Sequence, residues 1–453
     1  MRRTEIPEAG ATPPEPPVRV QHEAEIRRRW LFALTIGVGV LSGLIAVAFR
    51  AALQAAEQVR ALLSARASGD DVGGMALSIA FSTVTVAVGI WLVRRFAPEA
   101  AGSGIPHVEA ILHHRRAMSW FRVTWVKFVG GALGIGGGLA LGREGPTVQM
   151  GAAMGRAVGV WGECGPALGH RLIAMGAGAG LAAAFNAPLA GMVFVIEELR
   201  ANLRTSDYFS ALLATTTADL LCRELLGQTP DFGALSLATP PLAIVPPALA
   251  LGALCGLGGV LFNRTLLRSI DAFGALRRHI KDWQIGVAVG AVLGAVGWLW
   301  PGVLGGGRPL IDAALAGSLG YKTALGLLVA RFFLTMASYA TGAAGGLFAP
   351  LLVLGAELGF LSGSLANWLV PSSVDPTAFV VIGMGALFTG IVRVPVTGII
   401  LMIEMTGTYA LILPLSLACL AAYLIADLLH DVPIYEALLR RDLAAHQRAA
   451  GKA

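Results

Sequence analysis

Two carboxylates, a serine and a tyrosine stand out because glycine, proline and apolar residues surround them. Glu144 lies in "GREGP" (142–146), between "FVGGALGIGGGLAL" and "AAMGRAVGVW". A buried carboxylate is costly unless it is paired or protonated. Glu144 therefore either pairs, with Arg143 as the nearest cation, or takes up and releases a proton. Glu197 and Glu198 end the apolar stretch "FVIEEL" (194–199), where an interfacial ion pair with Arg200 is one role and proton transfer another. Ser103 sits between the glycines of "GSGIP" (102–106), a place that suits a helix cap. Tyr435 in "PIY" (433–435) follows the last long apolar run and suits an interfacial aromatic belt. The 4 cysteines form no CxxC pair and the 8 histidines no HExxH spacing. Buried packing accounts for the thiols, and neither a metal nor another cofactor is expected. A membrane-embedded enzyme with Glu144, Glu198 or Glu404 as acid or base would turn over a lipid or peptide. The chain offers it no nucleophile–histidine pairing and no nucleotide loop, so an enzyme is not the expected reading.

The elements that must hold these residues are membrane helices. Of 453 residues, 55% are hydrophobic and only 14% are charged, and the mean hydropathy is +0.70. A soluble domain carries roughly 25% charged residues. Apolar runs occur near 30–55, 74–98, 123–142, 171–196, 209–226, 240–263, 284–304, 323–340, 347–370, 377–392 and 396–425. A span needs about 20 apolar residues. Several runs are too long for one span and too broken for two, which predicts helices that start or stop inside the membrane. Such breaks are tolerated only where the backbone faces protein or a wet cavity. The net charge of +6 comes from clusters beside apolar runs, at Arg27–Arg29, Arg94–Arg95, Arg115–Arg116 and Arg440–Arg441. That placement fits the positive-inside rule and not a nucleic-acid partner. Residues 1–29, with "TPPEPP" at 12–17, read as a loosely attached cytoplasmic tail rather than a secretory signal. The transport domain is expected over 30–440, and a second cytoplasmic tail over 441–453.

The chain also repeats itself. "GREGPTVQMGAAMG" (142–155) aligns with "GLFAPLLVLGAELG" (346–359), matching Gly142 to Gly346 and Pro146 to Pro350. "GAGAGLAAAFNAPLAGMVFVIEE" (176–198) aligns with "GMGALFTGIVRVPVTGIILMIEM" (383–405), matching Pro188 to Pro395 and Glu197 to Glu404. Two ordered blocks at nearly one separation predict two halves, about 30–228 and 240–440, with broken helices in matching positions. Repeated halves of this kind place a transport site at their interface. If the halves are inverted, broken helices aim their N-termini at one centre. Unpaired N–H groups and a partial positive charge there make an anion site without a full cation.

"GSGIP", "GREGP" and "GLFAP" (346–350), in this order and followed by "PIY", resemble the signature segments of the CLC family of chloride channels and chloride/proton antiporters. The resemblance covers about residues 30 to 440. It implies an all-α polytopic fold of two inverted repeats with tilted, broken helices. It also implies a homodimer in the lipid bilayer, with one anion pathway per subunit. Chloride is then the bound substrate. The Ser103 hydroxyl, the Tyr435 phenol and the backbone N–H groups of Leu347 and Phe348 would hold it, with serine at 103 leaning toward chloride over nitrate. Glu144 matches the gating glutamate, whose carboxylate competes with chloride and leaves on protonation. Glu198 matches the internal proton-transfer glutamate, commonly non-ionisable in channels of the family, so the pair favours an exchanger over a passive channel. Glu197, which aligns with Glu404, is the structural residue of the two. A fluoride exchanger fits less well, because such relatives depart from "GSGIP" and "GREGP". Glu109 and Lys127, beside apolar runs, suggest a buried pair. The short C-terminal stretch suggests a prokaryotic-type form without a nucleotide-sensing domain, in the cell (inner) membrane if bacterial, with both termini cytoplasmic.

Overall fold

The computed structural model describes residues 18–66, 72–199, 205–228, 231–233, 235, 237, 239–369 and 375–450. Arg200, one candidate partner for Glu198, lies outside them. The first half comprises α1 (Val18–Arg66), α2 (Val72–Phe96), α3 (Ile105–Leu112), α4 (Trp120–Gly136), α5 (Glu144–Trp161), α6 (Pro166–Phe185), α7 (Pro188–Glu197) and α8 (Thr205–Leu226). The second comprises α9 (Val245–Leu276), α10 (Asp282–Leu299), α11 (Arg308–Leu315), α12 (Tyr321–Ala340), α13 (Phe348–Leu369), α14 (Pro376–Val392), α15 (Pro395–Thr406) and α16 (Ile412–Leu428), and α17 (Ile434–Ala450) follows. Among the described residues there are only isolated bridges and no strands. Seven helices in them are long and apolar enough to cross a membrane. The fold is therefore all-α and polytopic.

The helix breaks have a local cause that both halves share. Asn186 (φ 53°) ends α6 and Arg393 (φ 72°) ends α14, each in the left-handed conformation that terminates a helix. Pro188 and Pro395 then open α7 and α15, because proline is tolerated in a helix's first turn and not in its interior. The apolar run 396–425 accordingly becomes two helices, α15 and α16. At the chain ends, helices continue through the expected tail boundaries. α1 begins at Val18 and passes residue 29 without a break, and α17 passes residue 441. Past Pro17, the stretch from Val18 to Trp30 is rich in Glu and Arg, which are good helix formers, and contains no proline or glycine.

Small residues let the helices approach to backbone contact. Gly151 and Gly155 of α5 lie against Gly176 and Leu172 of α6, and Gly355 and Gly359 of α13 lie against Gly383 and Phe379 of α14. Gly39 and Gly43 seat α1 on Ala214 and Ala218 of α8, as Gly252 and Gly256 seat α9 on Ala418 and Ala422 of α16. The two halves meet with opposite senses. Gly286, Gly290 and Gly294 of α10 pack on Ala87, Thr83 and Ile79 of α2, so the two equivalent helices run antiparallel. Gly142 and Gly346 exchange backbone hydrogen bonds of 2.8 and 2.7 Å in an antiparallel bridge. Such self-complementary contacts between equivalent residues require a two-fold axis across the helices, which is an inverted repeat.

Candidate functional site

The first turns of α3, α5, α13 and α17 converge on one buried point. Gly145, in the first turn of α5, makes this possible: a Cβ there would come within 2.8 Å of Ser103 O and 2.9 Å of Gly346 Cα. With no side chain, the α5 turn touches the Ser103 loop and the α13 entrance directly. Ser103 is fully buried; its Oγ accepts from Ile105 N (3.2 Å) and its own N–H donates to the Tyr339 hydroxyl (3.3 Å). Gly104 (φ 84°) turns the chain into α3 in a conformation that disfavours any side chain. Leu347 and Phe348 are fully buried at the start of α13. Tyr435 is fully buried at the start of α17, its ring stacked on Phe348 with centroids 6.3 Å apart. Its hydroxyl is aimed at the Ser103 side chain. Ser103, Tyr339, Glu144 and Glu198 are all among its electrostatic neighbours.

Each helix start offers N–H groups without intrahelical partners and a partial positive charge. Glu144 uses them. Its Oε2 accepts from Ala349 N at 3.3 Å, so the carboxylate of α5 lies at the first turn of α13. Arg143 is a distant partner, with Nε 4.0 Å from Glu144 Oε1. The Arg143 guanidinium instead donates to Ala184 O (3.0 Å) and faces Asp231 (3.3 Å). Beside the site, Lys127 Nζ donates to Ala100 O (2.9 Å) and Gly102 O (2.6 Å), fixing the Ser103 loop from behind. Glu109 lies 4.0 Å from His113 Nε2.

Of the residues singled out in the sequence, Ser103, Glu144, Leu347, Phe348 and Tyr435 come together here. Glu198 is buried just past the end of α7 and reaches the centre only as an electrostatic neighbour of Tyr435. Its neighbour Glu197 reaches across the two-fold axis: its carboxylate accepts from Val396 N (3.1 Å) and Thr397 N (2.7 Å) at the start of α15. Glu404 of α15 returns the contact, accepting from Leu189 N (3.1 Å) and Ala190 N (2.7 Å) at the start of α7. The aligned pair Glu197 and Glu404 thus caps two antiparallel helices reciprocally.

Two cavities approach the centre from opposite ends of α2 and α10. One, of about 210 Å³, reaches Glu144 past Arg50, Arg143, Arg308 and Asp231. The other, about 240 Å³, reaches Gly102, Gly104 and Tyr339 past Arg94, Arg116 and Arg277.

Residues 84–427 match the family described as voltage gated chloride channel. The chain belongs to that family. Over 420 residues it is 40% identical to the H(+)/Cl(-) exchange transporter ClcA of Yersinia pseudotuberculosis, a match that covers 91% of this chain and 87% of that one. It is also 40% identical over 414 residues to the ClcA of Vibrio parahaemolyticus, covering 90% and 88%. A slow cyanobacterial Cl-/H+ antiporter of known structure superposes with a TM-score of 0.88 at 35% identity, covering 91% of this chain and 98% of that one. A eukaryotic CLC transporter shares the fold at 24% identity and a TM-score of 0.77, covering 90% and 73%. Within this CLC fold, Arg50, Asp231 and Tyr339 have no motif of their own that marks them. One signal for Arg308 is in the sequence: "GGGRP" (305–309) repeats "GSGIP" (102–106), with Gly305 and Gly307 at φ 67° and 80° against 63° and 84° for Gly102 and Gly104.

Proposed function

We propose that this chain is a chloride/proton antiporter. The observation that carries the reading is the Glu144 carboxylate at the first turn of α13, accepting from Ala349 N. An anion already occupies a place built from helix N-termini, and it is tethered to the chain. Chloride competes for the same N–H groups. Protonation of Glu144 removes its charge and its claim on them, so a proton bound there and a chloride bound there exclude the carboxylate in turn. Ser103 Oγ, Tyr435 Oη and the N–H groups of Leu347 and Phe348 hold the dehydrated chloride. Because the donors are neutral dipoles, the ion is held without a full countercharge and can leave. Glu198, which shares the Tyr435 phenol as a neighbour with Glu144, delivers the proton from the other side. A passive chloride channel of the same fold would leave Glu198 without that task.

The cavity that reaches Gly102 opens to the cytoplasm in this reading. Arg94 and Arg95 end α2 there, Arg277 lies beside Arg94, and Arg115 and Arg440 share a recess. α1 starts at that end and α17 packs on α3, so both termini are cytoplasmic, at the inner membrane in a bacterial cell.

The chain acts as a homodimer. α7 and α15, of 10 and 12 residues, are too short to cross a bilayer. Yet Leu189, Ile196, Val396 and Tyr409 on and beside them are exposed. Facing lipid, their helix ends would lie in hydrocarbon; a second copy covers them and the adjoining exposed faces of α8 and α16.

Reconstitution in liposomes tests the reading. A chloride gradient should drive protons uphill. Chloride flux with no proton movement would replace the antiporter with a channel.

A further inference from the structure

Asp231 is nearly buried and three guanidinium groups converge on it. Arg308 Nη1 lies 2.8 Å from Oδ1, Arg143 Nη2 3.3 Å from Oδ2 and Arg50 Nη2 3.5 Å from Oδ1. Arg308 also donates to the Asp231 backbone carbonyl. The three cations come from α1, the start of α5 and the start of α11, whereas Asp231 comes from the connection between the halves. That connection is tied down by backbone hydrogen bonds of Phe232 N to Met405 O (3.1 Å) and Leu235 N to Thr406 O (2.9 Å).

Arg308 also faces Asp312 (3.7 Å) and Arg143 faces Glu144 (4.0 Å), whereas Arg50 has Asp231 alone among the described residues. Arg50 keeps two further buried donors, Nε and Nη1, that meet no hydrogen-bond acceptor. Buried donors left idle are costly unless an anion or water visits them. The cradle lines the 210 Å³ cavity that ends on Glu144. Across that cavity Arg50, Arg60, Arg143 and Arg308 face Glu57, Asp231 and Glu144, and Asp312 lies 3.7 Å from Arg308 on its outer side.

The inverted repeat adds an independent reason. Arg308 stands in "GGGRP" where Ile105 stands in "GSGIP", and Gly306 stands where Ser103 does. The fold therefore presents the same glycine-bracketed turn twice, once at the central site and once on the approach. On the approach, an arginine side chain takes the place of the serine hydroxyl as the polar contact.

We propose that the Arg50–Arg143–Arg308 cradle is an outer station for the transported anion, and that Asp231 occupies it as a tethered counter-anion. A small anion entering from this side displaces the Asp231 carboxylate before it reaches Glu144. Two carboxylates then guard the path in series, Asp231 in a cradle of full charges and Glu144 among helix dipoles. This rests on the antiporter reading.

Asp231→Asn keeps an acceptor for Arg308 and removes the charge; Asp231→Ser removes more of the side chain; Asp231→Glu restores a carboxylate. In right-side-out vesicles, the half-saturating outer chloride should fall by about threefold to tenfold in the Asn and Ser variants, as expected when a tethered competitor is removed. The Glu variant should return it toward the wild-type value, which a purely structural staple would not do. Bromide-soaked crystals of the Asn variant should show an anomalous peak among the three guanidinium groups as well as one between Ser103 and Tyr435. If neither neutral variant gives a folded dimer, a graded bromide soak of the wild type carries the test: the cradle peak should grow with concentration as Asp231 turns away. A central peak with an empty cradle, or an unchanged chloride dependence, overturns the outer station alone. Loss of both peaks overturns the antiporter reading with it.

Discussion

The two-fold axis sets Glu144 against Phe348. Gly142 pairs with Gly346 and Pro146 aligns with Pro350, so these residues occupy the same position in the first turns of α5 and α13. The backbones are alike; the side chains are opposites. At α5 the position carries a carboxylate that crosses to the other helix start. At α13 it carries a ring packed on Phe185, Phe194, Phe388 and Tyr435. One helix start therefore supplies a carboxylate and the other supplies the Ala349 N–H that it meets, set in an aromatic wall. The repeated backbone thus carries different side chains at its two central helix starts, Glu144 on one and Phe348 on the other.

Changing the carboxylate arm has the largest expected effect on transport. Glu144→Gln should abolish proton coupling while chloride still crosses, measured by paired fluxes in liposomes. Retained coupling would break the contrast between the two helix starts. Next, Glu198→Gln should lower proton flux by about a hundredfold, the low end of what a positioned proton-transfer group contributes, with chloride flux maintained. Unchanged coupling would reject its role. On the other helix start, Phe348→Ala should act through packing rather than chemistry. Emptying its aromatic cluster should cost about 3–5 kcal/mol of stability, read by thermal unfolding in detergent, while the Ala349 N–H remains available to an anion. The smallest effects belong to the reciprocal caps. Glu197→Gln and Glu404→Gln should each cost about 1 kcal/mol, and nearly the same amount, because each caps the other's helix. A strong functional effect of one alone would mark a role beyond capping.

Much of this was legible in the sequence because glycine and proline carry backbone instructions. Pro188 and Pro395 announce where α7 and α15 must begin, and the glycines of "GREGP" and "GLFAP" announce close backbone approach. The residues that meet at the centre lie in or beside such patterns, in "GSGIP", "GREGP", "GLFAP" and "PIY". Other features depend on contacts that spacing does not encode. Asp231 lies 88 residues from Arg143 and 77 from Arg308, with no motif around it. Tyr339 meets Ser103 across 236 residues. The cap of α15 by Glu197 needed the fold, although its alignment with Glu404 hinted that the two belong together. Helix ends were the least legible: α1 starts well before residue 30, since charged helix formers extend a span without an apolar signal.

The account rests on the Glu144 carboxylate standing where an anion can stand. Bromide-soaked crystals of Glu144→Gln, compared with the wild type, test this most directly. The account predicts an anomalous peak within hydrogen-bond distance of Ala349 N in the variant and a carboxylate oxygen there in the wild type. A variant that binds bromide between Ser103 and Tyr435 but leaves the Ala349 N–H without an ion would contradict it.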